Sequence, residues 1–268
     1  MIEIKKKHKL FLILLGGVFF FTSLILLLIS SSFFQNKIIL QLSQKFTENT
    51  NQKVLIEKIN LNWDGSIEFR NFYLEDHHND TLIYISKLNT SLKNLKNIKN
   101  RNFEFSDLDA HDLYLKIKKY NGDKTHSLKI LLDKLKKKNK NKSESLFVIN
   151  KMFLDKMTFV YSDENSEKQN LLKLNSLKIE AEKFNLKNDE FILSLKNIEG
   201  LIDIPFNKKI KGSALVGYKP GLIKLDNMKI SSGKNFINGN IIVKGENNSL
   251  SDFKSNATIS MKILQSKL

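Results

Sequence analysis

The stretch 65–88, GSIEFRNFYLEDHHNDTLIYISKL, holds the densest set of side chains able to do chemistry: His77 and His78, with Glu75, Asp76 and Asp80 around them. Imidazole nitrogens and carboxylate oxygens are the donors of zinc-type sites, so a metal centre is the first chemistry to weigh. The spacing argues against it. Adjacent residues of a strand point to opposite faces, and a turn would have to swing both imidazoles onto one ion. No H-x-H or H-x-x-x-H pair occurs, and His111 and His126 stand alone in the sequence. The run therefore predicts a hairpin loop, EDHHND, with Asn79 and Asp80 as turn formers between strands near 67–74 and 81–85, and no metal.

Other chemistries find less. No Gly-x-Ser-x-Gly elbow, Walker-type loop or G-x-G-x-x-G motif is present, and the chain has no cysteine to serve as thiolate ligand or nucleophile. Gly212, Gly217, Gly221, Gly233 and Gly239 read as turns between strands. Asp163 and Glu164 sit in the polar run SDENSEKQN, which reads as a solvated loop with nothing apolar nearby to shift a carboxyl pKa. The expectation is a protein that is not an enzyme and needs no cofactor.

The formal charge of +16 raises the question of nucleic acid. The cations are the wrong kind, because Arg70 and Arg101 are the two arginines and the lysines are scattered between apolar residues, as in LYLKIKKY at 113–120. That alternation is the wet face of a sheet, and no nucleic-acid partner is expected.

With catalysis set aside, the elements carry the argument. Residues 10–29 contain no charge and follow Lys5, Lys6, Lys7 and Lys9. At about 1.5 Å per residue they span roughly 30 Å, one bilayer core, and are longer than the apolar region of a cleaved signal. The reading is a cytoplasmic tail (1–9), a transmembrane anchor (10–32) and bulk across the membrane by the positive-inside rule. Phe34, Ile38, Leu42 and Phe46 then mark an amphipathic helix at 33–50. From 51 to 268 the period is two: Ile59/Leu61/Trp63, Leu113/Leu115/Ile117, Leu177/Ile179/Ala181, Phe191/Leu193/Leu195 and Ala257/Ile259/Met261/Ile263. A helical insertion near 127–138, marked by Leu128, Leu131, Leu132 and Leu135, breaks the series.

The fold class expected is mainly β, a long antiparallel sheet with one apolar face and too few helices to cover it. Such a sheet closes on itself, forms a sandwich, or stays curved around something apolar. About fifteen strands at about 4.8 Å would make a groove roughly 70 Å long, its last strand an open edge. Residues placed on the apolar face are Leu177, Ile179, Phe191, Leu193, Leu195, Ile223, Leu225, Ile241, Val243, Ile259 and Met261.

The order of features is similar to the N-terminal region of the TamB-like branch of the AsmA-like envelope proteins, in which a strand pair of the form "l.dvyieD..gDTLlya..l" follows the anchor. The matching residues are Phe72, Leu74, Glu75, Asp76, Asp80, Thr81, Leu82 and Tyr84, with Asn79 where the glycine usually stands. The run at 222–260, with its "SLSDF" segment, resembles a later element of that branch. Family members run far longer, so the resemblance implies the N-terminal part of a larger protein. It further implies a β-taco groove in the periplasm, anchored in the inner membrane. Phospholipid acyl chains would be its cargo, and an Omp85-type outer-membrane protein its partner in outer-membrane assembly. The reading set against it is a membrane-tethered protein-interaction module with a closed β core.

Overall fold

The computed structural model describes residues 32–62, 64–93, 102–138, 146–165, 170–187, 190–202, 208–219, 222–244 and 257–263. The tail, residue 63 and all but the last residue of the expected anchor lie outside them. Among the described residues, no helix is long and apolar enough to cross a membrane. Within the described residues, two helices, α1 (Ser32–Thr50) and α2 (Ser127–Lys138), accompany eleven strands. The strands are β1 (Val54–Leu61), β2 (Ser66–Glu75), β3 (Thr81–Leu92), β4 (Asn102–Lys119), β5 (Leu146–Asp163), β6 (Asn170–Lys187), β7 (Glu190–Ile202), β8 (Lys208–Lys219), β9 (Leu222–Ser232), β10 (Asn235–Lys244) and β11 (Ala257–Ile263).

All eleven form one curved sheet in sequence order, with β1 and β11 at opposite edges. Among the described residues the sheet is therefore unclosed. The strands are fewer than the fifteen expected because they are long: β4, β5 and β6 have 18 residues each. At about 4.8 Å between strands the sheet is roughly 50 Å across, not 70. It is also mixed, since β4 and β5 pair in parallel while the other neighbours pair antiparallel. A parallel pair needs a crossover, and α2 provides it between the end of β4 and the start of β5.

Helix α1 lies beside β1. Its Gln35 carboxamide reaches the free backbone edge of that strand: oriented to satisfy both groups, Nε2 donates to Ile59 O at 2.7 Å and Oε1 accepts from Leu61 N at 3.3 Å. The inward stripe is Gln35, Ile39 and Thr50 with Phe46 partly buried, whereas Leu40 and Leu42 are exposed. The expected stripe through Leu42 was thus turned by about one residue, because it counted only apolar side chains and the edge-binding Gln35 is polar. Asn51, at φ 55°, ends the helix in left-handed geometry and donates its N–H to Thr47 O at 2.8 Å. Val54, Leu74, Leu82 and Leu131 form a core cluster, with Phe46, Ile56, Phe72, Ile83, Leu128 and Leu135 packed on it. Both helices thereby cover the β1–β4 end of the sheet.

A crease runs across these strands. Asn71, Asp112 and Lys156 have φ of 48°, 51° and 54° in the middle of β2, β4 and β5. The register lines them up: Asn71 falls opposite Ser86, Ser86 opposite Asp112, and Asp112 beside Lys156. A left-handed residue resets which face the following side chains meet, so the apolar positions step by three there: Ile56 to Ile59, Phe69 to Phe72, Ile85 to Leu88, Ala110 to Leu113, Leu154 to Met157. Asn71 is held by hydrogen bonds to Glu57 and from the Tyr84 hydroxyl.

Two outcomes follow. Lys156 is exposed, so substitutions there report backbone strain. Lys156→Val should lower unfolding free energy by about 1–2 kcal/mol while Lys156→Gly does not, because a β-branched residue resists positive φ. Equal denaturation midpoints for the two variants would refute the strained crease.

His126 begins α2, accepting from Lys129 N through Nδ1 at 3.2 Å. Burial holds its pKa below the ordinary 6.5, helped by the nearby Lys129 and Lys119 and opposed by Asp133. The unfolded chain thus takes up the proton first on acidification. Stability on this account is intact above about 6.5 and falls as pH drops toward the lowered folded value. His126→Asn, which keeps a capping acceptor, should flatten the thermal midpoint between pH 7 and 5.

Candidate functional site

The apolar face is continuous in register. One row crosses all eleven strands: Ile59, Phe69, Leu88, Ala110, Leu154, Ile179, Ile198, Gly212, Ile230, Ile237 and Ile263 pair successively without one polar side chain. A second row joins Leu193, Val216, Leu225, Ile241 and Ile259. A third joins Phe103, Phe147, Leu186, Phe191, Tyr218, Ile223 and Val243. Gly212, Val216 and Tyr218 are separated by even steps within β8, so the three rows share one face.

The expected groove residues fall into this array. Leu195 pairs with Ala181 and Ala214, and Leu177 with Met157. Met261 pairs with Gly239. Val243, Ile259 and Met261 are placed by backbone register alone. Every substantial contact of β6 to β11 is with a neighbouring strand. Yet Leu177, Ala181 and Met228 are under 5% exposed, at 2%, 3% and 4%. Neighbours on the same curved face supply that burial.

Two parts of the apolar face were not legible in the sequence. Strand β8 was obscured by its small residues: Gly212 and Gly217 lie inside it, and Gly239 inside β10, not in turns as expected. At Gly212 a Cβ would sit 3.0 Å from Lys229 O and 3.2 Å from Ile198 Cγ2, so the missing side chain admits its neighbours. Gly233, at φ 59°, does form a turn. The second omission is an aromatic rim, in which Phe147 lies 5.0 Å from Phe105 and 6.3 Å from Phe184, then Phe184 to Phe191 at 6.0 Å and Phe191 to Tyr218 at 5.3 Å between centroids. Phe191 alone of these was expected on the groove.

The outer face is ionic. Lys87 meets Glu68 at 3.4 Å, Lys196 meets Glu182 at 3.4 Å and Lys211 meets Glu199 at 2.9 Å. The hydrogen bond from Lys211, then that from Asn197, holds the Glu199 carboxyl below its usual range. Such exposed pairs contribute little to stability but keep this side wet.

The EDHHND loop joins β2 to β3 as expected, and Asn79 takes the glycine-like φ of 62°. Asp76 organises it. This carboxylate is 2% exposed. Oδ1 accepts from His78 N at 2.8 Å and Asp80 N at 3.0 Å, and Oδ2 accepts from the Tyr120 hydroxyl at 2.7 Å. Burial, then the bond to Asp76, drives the Tyr120 pKa far up. Lys116 Nζ donates to Asp80 Oδ2 at 2.5 Å. Contrary to the expectation from strand geometry, the neighbouring histidines do converge here, because both lie in the turn and not in a strand. Their rings meet edge-on with centroids 4.5 Å apart, and Asp123, 45 residues further on, faces both.

In comparisons with known proteins, no family model matches the chain and no curated protein matches it.

Asp76→Ala removes three hydrogen bonds to a buried carboxylate and should cost about 3 kcal/mol in chemical denaturation. Asn79→Gly should be neutral or slightly stabilising, since glycine adopts positive φ freely. A neutral Asp76→Ala would show that the loop is not held by that carboxylate.

Proposed function

We propose that the chain is a non-enzymatic, inner-membrane-anchored periplasmic bridge whose trough shields phospholipid acyl chains. The observation that carries this reading is the row of apolar positions crossing all eleven strands of an unclosed sheet. Acyl chains gain about 0.8 kcal/mol for each methylene taken out of water, so affinity needs no specific head-group contact. Head groups stay at the rim while tails move along the rows. The resemblance to TamB-like proteins adds an Omp85-type partner and a part in outer-membrane assembly. The long apolar segment at 10–32 supplies the anchor in this scheme.

Photoreactive residues placed at Leu193 or Leu225 in the full chain in its membrane test the proposal. Ultraviolet light should give phospholipid adducts at both positions, read by mass spectrometry, and none at Lys224, which is exposed on the outer face. Adducts equal at all three positions, or none at either leucine, would sink the trough as a lipid path.

A further inference from the structure

We propose that His77, His78 and Asp123 form a binding site for a divalent transition metal of the zinc class, joining the β2–β3 loop to the turn after β4. His77 Nε2 lies 2.8 Å and His78 Nε2 3.8 Å from the same oxygen, Asp123 Oδ2. One donor atom from each residue lies within 4.8 Å of the other two. Zinc holds its ligands at about 2.0–2.2 Å, so an ion drawn between these three atoms needs small side-chain rotations and no backbone shift. Two imidazoles and a carboxylate select zinc, cobalt or nickel over magnesium and calcium, which take oxygen sets.

The site is built from fixed parts. His78 stacks on Tyr120 with centroids 3.9 Å apart and planes at 24°, and His77 meets the same ring edge-on at 5.6 Å. Tyr120 is in turn held by Asp76, which also fixes the backbone N–H of His78. The orientation of both rings thus derives from one buried carboxylate that is not itself a donor. Asp123 is positioned by the turn after β4, its N–H donating to Tyr120 O at 3.0 Å. Three protein donors leave a tetrahedral ion one position for water. The ion would tie the β2–β3 loop to the segment leading into α2, and so fasten the parallel crossover to the hairpin beside it.

The test uses the full chain stripped with chelator and titrated with zinc chloride or cobalt chloride. Calorimetry should show one high-affinity zinc per chain, and cobalt should develop the intense visible absorption of a four-coordinate N/O site. Zinc at about 100 times its dissociation constant should raise Tm by about 5–10 °C. His78→Ala, at a half-exposed position, should fold with unchanged circular dichroism and lose at least tenfold in affinity, as should Asp123→Asn, while His111→Ala binds as the parent does. Zinc uptake unaffected by His78→Ala and Asp123→Asn would overturn the proposal. So would a stability that follows imidazole protonation but ignores zinc, which would leave an ion pair only.

Discussion

The structure depends on a conflict between strand length and strand period. An 18-residue strand twists, and side chains alternating strictly by two would carry its apolar positions off the shared face as the sheet curves. This chain resolves the conflict by interrupting the period with left-handed residues in register. At Asn71, Asp112 and Lys156 the apolar series steps by three and resumes on the same face. Further resets at Ser176, Lys183 and Asn227 do the same in β6 and β9. Each costs about 1 kcal/mol or more for a non-glycine residue, less for Asn and Asp. The return is one uninterrupted apolar face across strands too long to have kept one otherwise.

That face determines what else the sheet requires. Its outer side carries the lysines and acids that account for much of the charge. Its β1 edge would be a template for unwanted pairing, and α1 blunts it with Gln35 on the exposed backbone groups. At the far side β11 pairs with β10, and among the described residues no strand follows it. The two edges are thus treated differently: a helix covers backbone groups of β1, whereas β11 is the last strand in the described order.

The same resets explain what could be read from sequence and what could not. Strands with regular alternation, such as β11, were legible as strands from their sequence. Strand β5 was invisible because Phe147, Ile149, Met152, Leu154, Met157 and Phe159 alternate steps of two and three, a spacing that mimics a helix as much as a strand. The parallel pair was signalled by an amphipathic helix between two sheet segments, a crossover pattern that the surrounding hairpins obscured. Asp123 had no local signal at all. Its approach to His77 depends on where β4 ends relative to the β2–β3 loop, and only register over three strands fixes that.

The two ends of the sheet are therefore different materials. Near β1 to β4 the apolar face is covered by α1 and α2, Leu82 and Ala110 are fully buried, and the loop at the strand ends is held by a buried carboxylate. From β6 onward the apolar side chains bury one another, with no helix among the described residues packed on them, and Ile230 remains 39% exposed. Regions with fewer buried apolar contacts open at lower free energy than the core. The β1–β4 end is thus the firm part of the sheet, and the strands from β6 onward are its yielding part.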